Sequence, residues 1–143
     1  MISSHIKPVT IYSKKYGDLL LIEDKKIMIC QMKKPYIPIE KFKKIFRKAS
    51  EFIKEHKIEK FIFDKRSLET FHQPSMEWYF IIWKRDMMSY GLTEHRKILP
   101  QNEPWFQDAV QAGRAKIEKD YPDNIIKKLN IVYCQSLEEA IDK

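Results

Sequence analysis

Glycine is nearly missing from this sequence, with 3 in 143 residues. A loop that cradles phosphate groups needs glycines at several fixed offsets, so a Gly-rich phosphate loop is nearly excluded. Cysteine is limited to Cys30 and Cys134, both inside apolar, strand-like runs. That placement reads as two buried free thiols rather than a disulfide or a metal pair. Signatures of catalysis are missing too: there is no G-x-S-x-G, no H-E-x-x-H, no P-loop and no paired C-x-x-C. His5, His56, His72 and His95 are dispersed without metal-ligand spacing. No metal, no cofactor and no enzymatic activity are therefore expected. Long apolar runs are lacking as well. The longest, Trp78–Trp83, falls far short of the roughly 20 residues that span a bilayer, and the opening MISSHIKPV has no apolar signal core. The expectation is a cytoplasmic protein without membrane insertion.

Arginine is the scarce cation. Of 27 basic residues only Arg47, Arg66, Arg85, Arg96 and Arg114 are arginine, and the formal charge is +7. Base reading and bidentate phosphate contacts favour arginine, and the lysines are spread along the chain. A solvated lysine surface is the plainer reading, so a nucleic-acid partner is not expected. The alternative is nucleic-acid association through the lysine-rich face of a helix at residues 39–57.

What the sequence does contain is alternation. Val9–Tyr12, Leu19–Glu23 and Lys26–Met32 are β-prone, with a turn at Tyr16-Gly17-Asp18 and a hairpin joint at Asp24-Lys25. Ile39–His56 is an amphipathic helix: Ile39, Phe42, Ile45, Phe46, Ala49, Phe52 and Ile53 share one face, and Lys41, Lys44, Arg47 and Lys54 point away from it. Ile58–Phe63 is apolar enough for a parallel strand buried on both faces. A helix over Met76–Tyr90 follows, with Ser75 as N-cap and Gly91 past its end. Arg96–Leu99 is a short strand. Asn102 caps a helix over Glu103–Asp120, a turn spans Asn124–Lys128, and Leu129–Cys134 is the last strand. Ser136 and Glu139 form a capping box that opens a helix over Leu137–Asp142. This order implies one α/β domain over residues 1–143: a mixed, mostly parallel sheet with an N-terminal antiparallel hairpin and flanking helices.

Four passages carry a family resemblance: FIFDKR (Phe61–Arg66), PSMEWY (Pro74–Tyr79), GLTEHRKILP (Gly91–Pro100) and SLEEA (Ser136–Ala140). Together they resemble a STAS-like (SpoIIAA-like) domain, the fold of anti-sigma-factor antagonists, from about Val9 to Ala140. The resemblance implies a non-enzymatic binding module in bacterial signalling, acting through protein contacts or an apolar small-molecule or lipid ligand. Antagonists of that family carry a phosphorylatable serine at this helix start. Here only Ser75 stands in that place, in His72-Gln73-Pro74-Ser75, without the neighbouring Ser and Gly.

Two sets of residues are candidates for a site. Asp64, Arg66, His72 and Ser75 lie where a strand end meets a helix start, the place where open α/β sheets keep ligands. They suit an anion, or an ordinary loop in which Asp64 pairs with a base. Trp78 and Ile82 form a second apolar stripe on a helix whose first stripe is Met76, Phe80, Trp83 and Met87. A helix apolar around most of its girth is either deep core or has a partner. Trp78 and Ile82 are therefore expected to border a homodimer interface or an apolar pocket.

Overall fold

The computed structural model describes residues 7–69, 72–100, 104–123 and 128–143. Six strands lie in sequence order across one sheet: β1 (Val9–Ser13), β2 (Gly17–Ile22), β3 (Ile27–Met32), β4 (Lys60–Asp64), β5 (Glu94–Ile98) and β6 (Asn130–Cys134). The first three are antiparallel neighbours, and β3 to β6 are parallel. The anticipated mixed sheet with an antiparallel N-terminal hairpin is thus what the chain forms. Between β2 and β3 the backbone makes one 3-10 turn, Glu23–Lys25, and leaves it through Lys26 at φ 57°.

Helix α1 (Ile39–His56) has the anticipated bounds. The second helix begins earlier than the sequence suggests and is not uniform. It runs as α2 (Gln73–Glu77), a π-helical segment Trp78–Trp83, and α3 (Lys84–Met88). Ser75 is not its N-cap. His72 is, accepting the Ser75 N–H on Nδ1, because Pro74 sits comfortably inside a first turn and shifts the start upstream. Gly91 closes the helix at φ 98°, a conformation other residues resist. Helix α4 (Pro104–Asp120) and helix α5 (Leu137–Asp142) complete the fold. The Asn102 cap and most of the Asn124–Lys128 turn lie outside the described residues.

The parallel crossovers advance steadily along the sheet, so crossovers of one hand place α1, α2–α3 and α4 on the same face. There they bury Phe42, Phe46, Phe61, Phe63, Tyr79, Trp83 and Phe106 in one core. Among the described helices only α5 packs on the other face, where Ala140 and Ile141 meet Ile62, Ile98 and Cys134. Its capping box is displaced by one residue: Ser136 Oγ accepts from the Glu139 N–H at 3.1 Å, and Glu139 reaches the Gln135 N–H at 2.7 Å. Cys30 and Cys134 are buried free thiols on opposite faces of the sheet, which rules out a bond between them.

Candidate functional site

The register decides which side chains meet under the three helices. Rows of aligned residues cross the sheet on the helix-covered face. One reads Met28, Phe61, His95 and Ile131; the next reads Cys30, Phe63, Lys97 and Tyr133. Lys65 follows Phe63 by two residues just past β4, so its side chain leaves toward the same face. Lys84 opens α3, four residues after Phe80, and therefore also points at the sheet. Three lysines thus converge from a strand end, a strand and a helix, and all three are completely buried.

Their environment is aromatic and positively charged. Lys97 Nζ lies 3.9 Å from the Phe80 ring centroid and 5.2 Å from that of Tyr79. Lys84 Nζ lies 4.3 Å and 4.8 Å from the same two rings. Lys65 Nζ sits 5.0 Å from the Phe63 ring and 3.9 Å from the Met76 thioether sulfur, a weak acceptor. Lys84 Nζ, Lys97 Nζ, Tyr79 Oη and both ring nitrogens of His95 are buried without any hydrogen-bond partner. The amines of Lys84 and Lys97 lie within reach of one another but form no well-shaped hydrogen bond.

No carboxylate among the described residues pairs with these three amines. Burial, with a smaller push from Arg114, lowers Lys65 to about 7. Burial lowers Lys84 and Lys97 well below the ordinary amine value, and Lys65 and Arg114 add to both; Lys84 also lowers Lys97, while the contact with Lys97 opposes the fall at Lys84. Burial, then Lys84 and Lys97, hold His95 well below the ordinary imidazole value. Half-buried Arg114 on α4 donates to Tyr133 Oη at 3.0 Å and borders a cleft of about 390 Å³ between α4 and the ends of β5 and β6. Leu99, Val110 and Cys134 also line that cleft. It lies beyond the carboxyl ends of parallel strands, where open α/β sheets bind ligands.

Two other bases in the same chain are held by several hydrogen bonds, although Arg96 Nε has no partner. Arg96, on the opposite sheet face, donates to the carbonyls of His95, Asn130 and Lys143 and to Glu94 Oε1 at 2.8–3.1 Å. Lys60 donates to the carbonyls of Ala140 and Ile141 at 3.2 and 3.0 Å. Both hold the carbonyl end of α5, where a cation suits the helix dipole. The lysine cluster has no such structural employment.

The residues singled out from sequence form two pairs. Asp64 accepts from Arg66 Nη2 at 2.7 Å, from Arg66 Nε at 2.9 Å and from Gln31 Nε2 at 3.0 Å. This is the ordinary-loop alternative, and it holds the Arg66 guanidinium above its usual pKa. His72 Nδ1 and Ser75 Oγ are 2.8 Å apart at the start of α2. Asp64 aligns with Gln31 and Ile98 on the sheet face that α5 covers, and no hydrogen bond joins one pair to the other among the described residues. Trp78 packs edge-on to Phe42 at 6.2 Å, with Lys43 Nζ 5.8 Å over its ring. Ile82 is 45% exposed. With Arg47, Ser50 and Arg85 these two border an open, largely polar depression.

The lysine cluster itself was not foreseen. Its lysines stand in KFIFDKR, WKRDMM and HRKIL, and nothing in these local patterns separates them from the lysines of the wet face of α1. No protein-family model, curated protein or solved structure matches the chain. The STAS-like resemblance therefore rests on its four sequence passages alone. No described helix is long and apolar enough to cross a membrane.

Proposed function

We propose that this protein is a small-molecule-binding module whose ligand is an organic anion with an apolar body, held at Lys65, Lys84, Lys97 and Arg114. The observation that carries this reading is four bases gathered at one place with no carboxylate among them. A buried ammonium group costs several kcal/mol of desolvation. Like charges nearby add to that cost. An anion entering between the amines would remove both penalties at once, and Tyr79, Phe80 and Met76 offer an apolar wall for the rest of the ligand. The STAS-like resemblance accords with binding rather than turnover.

Benzoate is the simplest probe, tested by thermal melting at constant ionic strength against chloride. A ligand at a hundred times its Kd stabilises by about 2.7 kcal/mol, so a clear rise in Tm is expected. Lys97→Met replaces an unpaired buried base by an apolar side chain of similar length. We expect it to melt no lower than the parent, and up to about 4 kcal/mol more stable, as replacements of buried charges often are. It should also lose the response to benzoate. A wild-type protein indifferent to benzoate, with a Lys97→Met variant that unfolds, would overturn the reading. The rival, phosphate backbone laid on the lysine face of α1, is separated by its steep salt dependence.

A further inference from the structure

The paired amines of Lys84 and Lys97 are arranged for more than charge. A base that only neutralises an anion works as an ammonium in a solvated or hydrogen-bonded setting. Here two amines lie against each other, fully buried, each without a hydrogen bond, between the rings of Tyr79 and Phe80. They are carried by a strand and a helix rather than by loops, so their mutual placement is fixed. The Tyr79 hydroxyl is buried beside them and also unbonded.

We infer that an amine of the Lys84–Lys97 pair captures a 2-oxo acid as an imine. This rests on the reading that the cluster binds an organic anion, and it names the anion's class. A 2-oxo acid places a carbonyl carbon next to a carboxylate. Lys65 and Arg114 are the cations left to hold that carboxylate while the pair meets the carbonyl. The groups acting on the pair are Lys65 beyond β4, Tyr79 on the π-helical segment, His95 on β5 and Arg114 on α4, and none of them is a carboxylate.

The step balances without an oxidant or a further reactant. The lone pair of one neutral amine attacks the carbonyl carbon, and the carbonyl oxygen takes a proton from the Tyr79 hydroxyl. The attacking nitrogen gives up two protons in all: one restores the Tyr79 hydroxyl, and the other leaves with the hydroxyl of the carbinolamine as water, so that a C=N bond replaces C=O. Enclosure by the two rings keeps bulk water from reversing the reaction. Burial and like charge favour the free-base form of both amines at neutral pH, which is how a lysine becomes a nucleophile.

The test is reductive trapping at pH 7 with glyoxylate and cyanoborohydride, followed by peptide mapping. An ordinary lysine at pH 7 has about one amine in 2,500 unprotonated. Adducts on Lys84 or Lys97 should therefore exceed those on exposed Lys41 or Lys44 by more than about tenfold. Acetaldehyde, which lacks the carboxylate, should show a smaller preference, and unfolding in urea should erase it. Glycolate, which keeps the carboxylate and lacks the carbonyl, is the companion probe. If glycolate raises Tm while glyoxylate labels only surface lysines, anion binding stands and the imine falls. If neither reagent finds the cluster, both fall.

Discussion

A lysine takes its chemistry from what surrounds its nitrogen. Lys60 and Lys84 carry the same side chain, yet Lys60 donates to two helix-end carbonyls while Lys84 meets only rings, a second amine and like charge. Composition counts both as charge, and a chain with 27 basic residues invites the reading of all of them as surface. Apolar residues carry no such ambiguity. Spacing alone puts Phe42, Phe46 and Phe52 on one face of α1, and Phe42 and Phe46 lie buried in one core with Phe61 and Phe63, with Phe52 and Ile131 packed at its edge. Phe46 sits at the centre, with ring centroids 4.6 Å from Phe42, 4.8 Å from Trp83, 5.1 Å from Tyr79 and 5.2 Å from Phe63. Removing that ring leaves a cavity walled by rigid neighbours that cannot collapse into it. Phe46→Ala should cost about 3–5 kcal/mol in chemical denaturation. A loss below about 1 kcal/mol would contradict the packing described.

At the scale of elements, α1 and α5 kept their anticipated bounds because period and caps agree there. The second helix did not. Ser75 resembles an N-cap in isolation, but the run His72-Gln73-Pro74 already supplies an imidazole acceptor and a proline fit for the first turn. The π-helical segment has no sequence signature, and it is the stretch that holds Tyr79 and Phe80 over the amines. Such segments occur frequently at functional sites. The lysine cluster needs the pairing of β4 with β5 to be seen, since only the register brings Lys97 beside Phe63, and no local pattern carries that information. The outward stripe of this helix is a separate matter. Trp78 leans on α1, while Ile82 is about half exposed. Ile82→Lys should therefore change stability by no more than about 0.5 kcal/mol. Sedimentation of that folded variant then tests the homodimer reading directly: a shift from a larger species to monomer supports it, and an unchanged monomer ends it.

At the scale of the whole molecule, α1, α2–α3 and α4 cover one sheet face and short α5 lies on the other, so the deepest volume among the described residues lies between the sheet and α1, α2–α3 and α4. Putting unpaired bases into that volume ties the stability of the entire fold to pH. In the unfolded chain the amines of Lys65, Lys84 and Lys97 titrate near 10.4. In the folded protein burial brings Lys65 to about 7 and holds Lys84 and Lys97 well below the ordinary amine value. Between pH 7 and about 8.5 the unfolded chain therefore binds protons that the folded one does not, and stability rises with pH. Each fully shifted amine adds at most about 1.4 kcal/mol per pH unit. Above about 8.5 the effect is opposed, because unfolded thiols begin to ionise while burial keeps Cys30 and Cys134 protonated. His95 enters only lower, where the unfolded imidazole gains a proton below about 6.5 and the folded one stays neutral. The ligand-free protein should thus melt at a distinctly higher temperature at pH 8.5 than at pH 7. Saturation with benzoate should flatten that slope, because an anion restores the ammonium forms and draws protons in with it. Benzoate affinity, measured by calorimetry in buffers of different ionisation enthalpy, should fall from pH 7 to pH 8.5 with net proton uptake. A melting temperature that is level across this window without ligand would mean that the amines keep their ordinary protonation, and the anion reading would go with it.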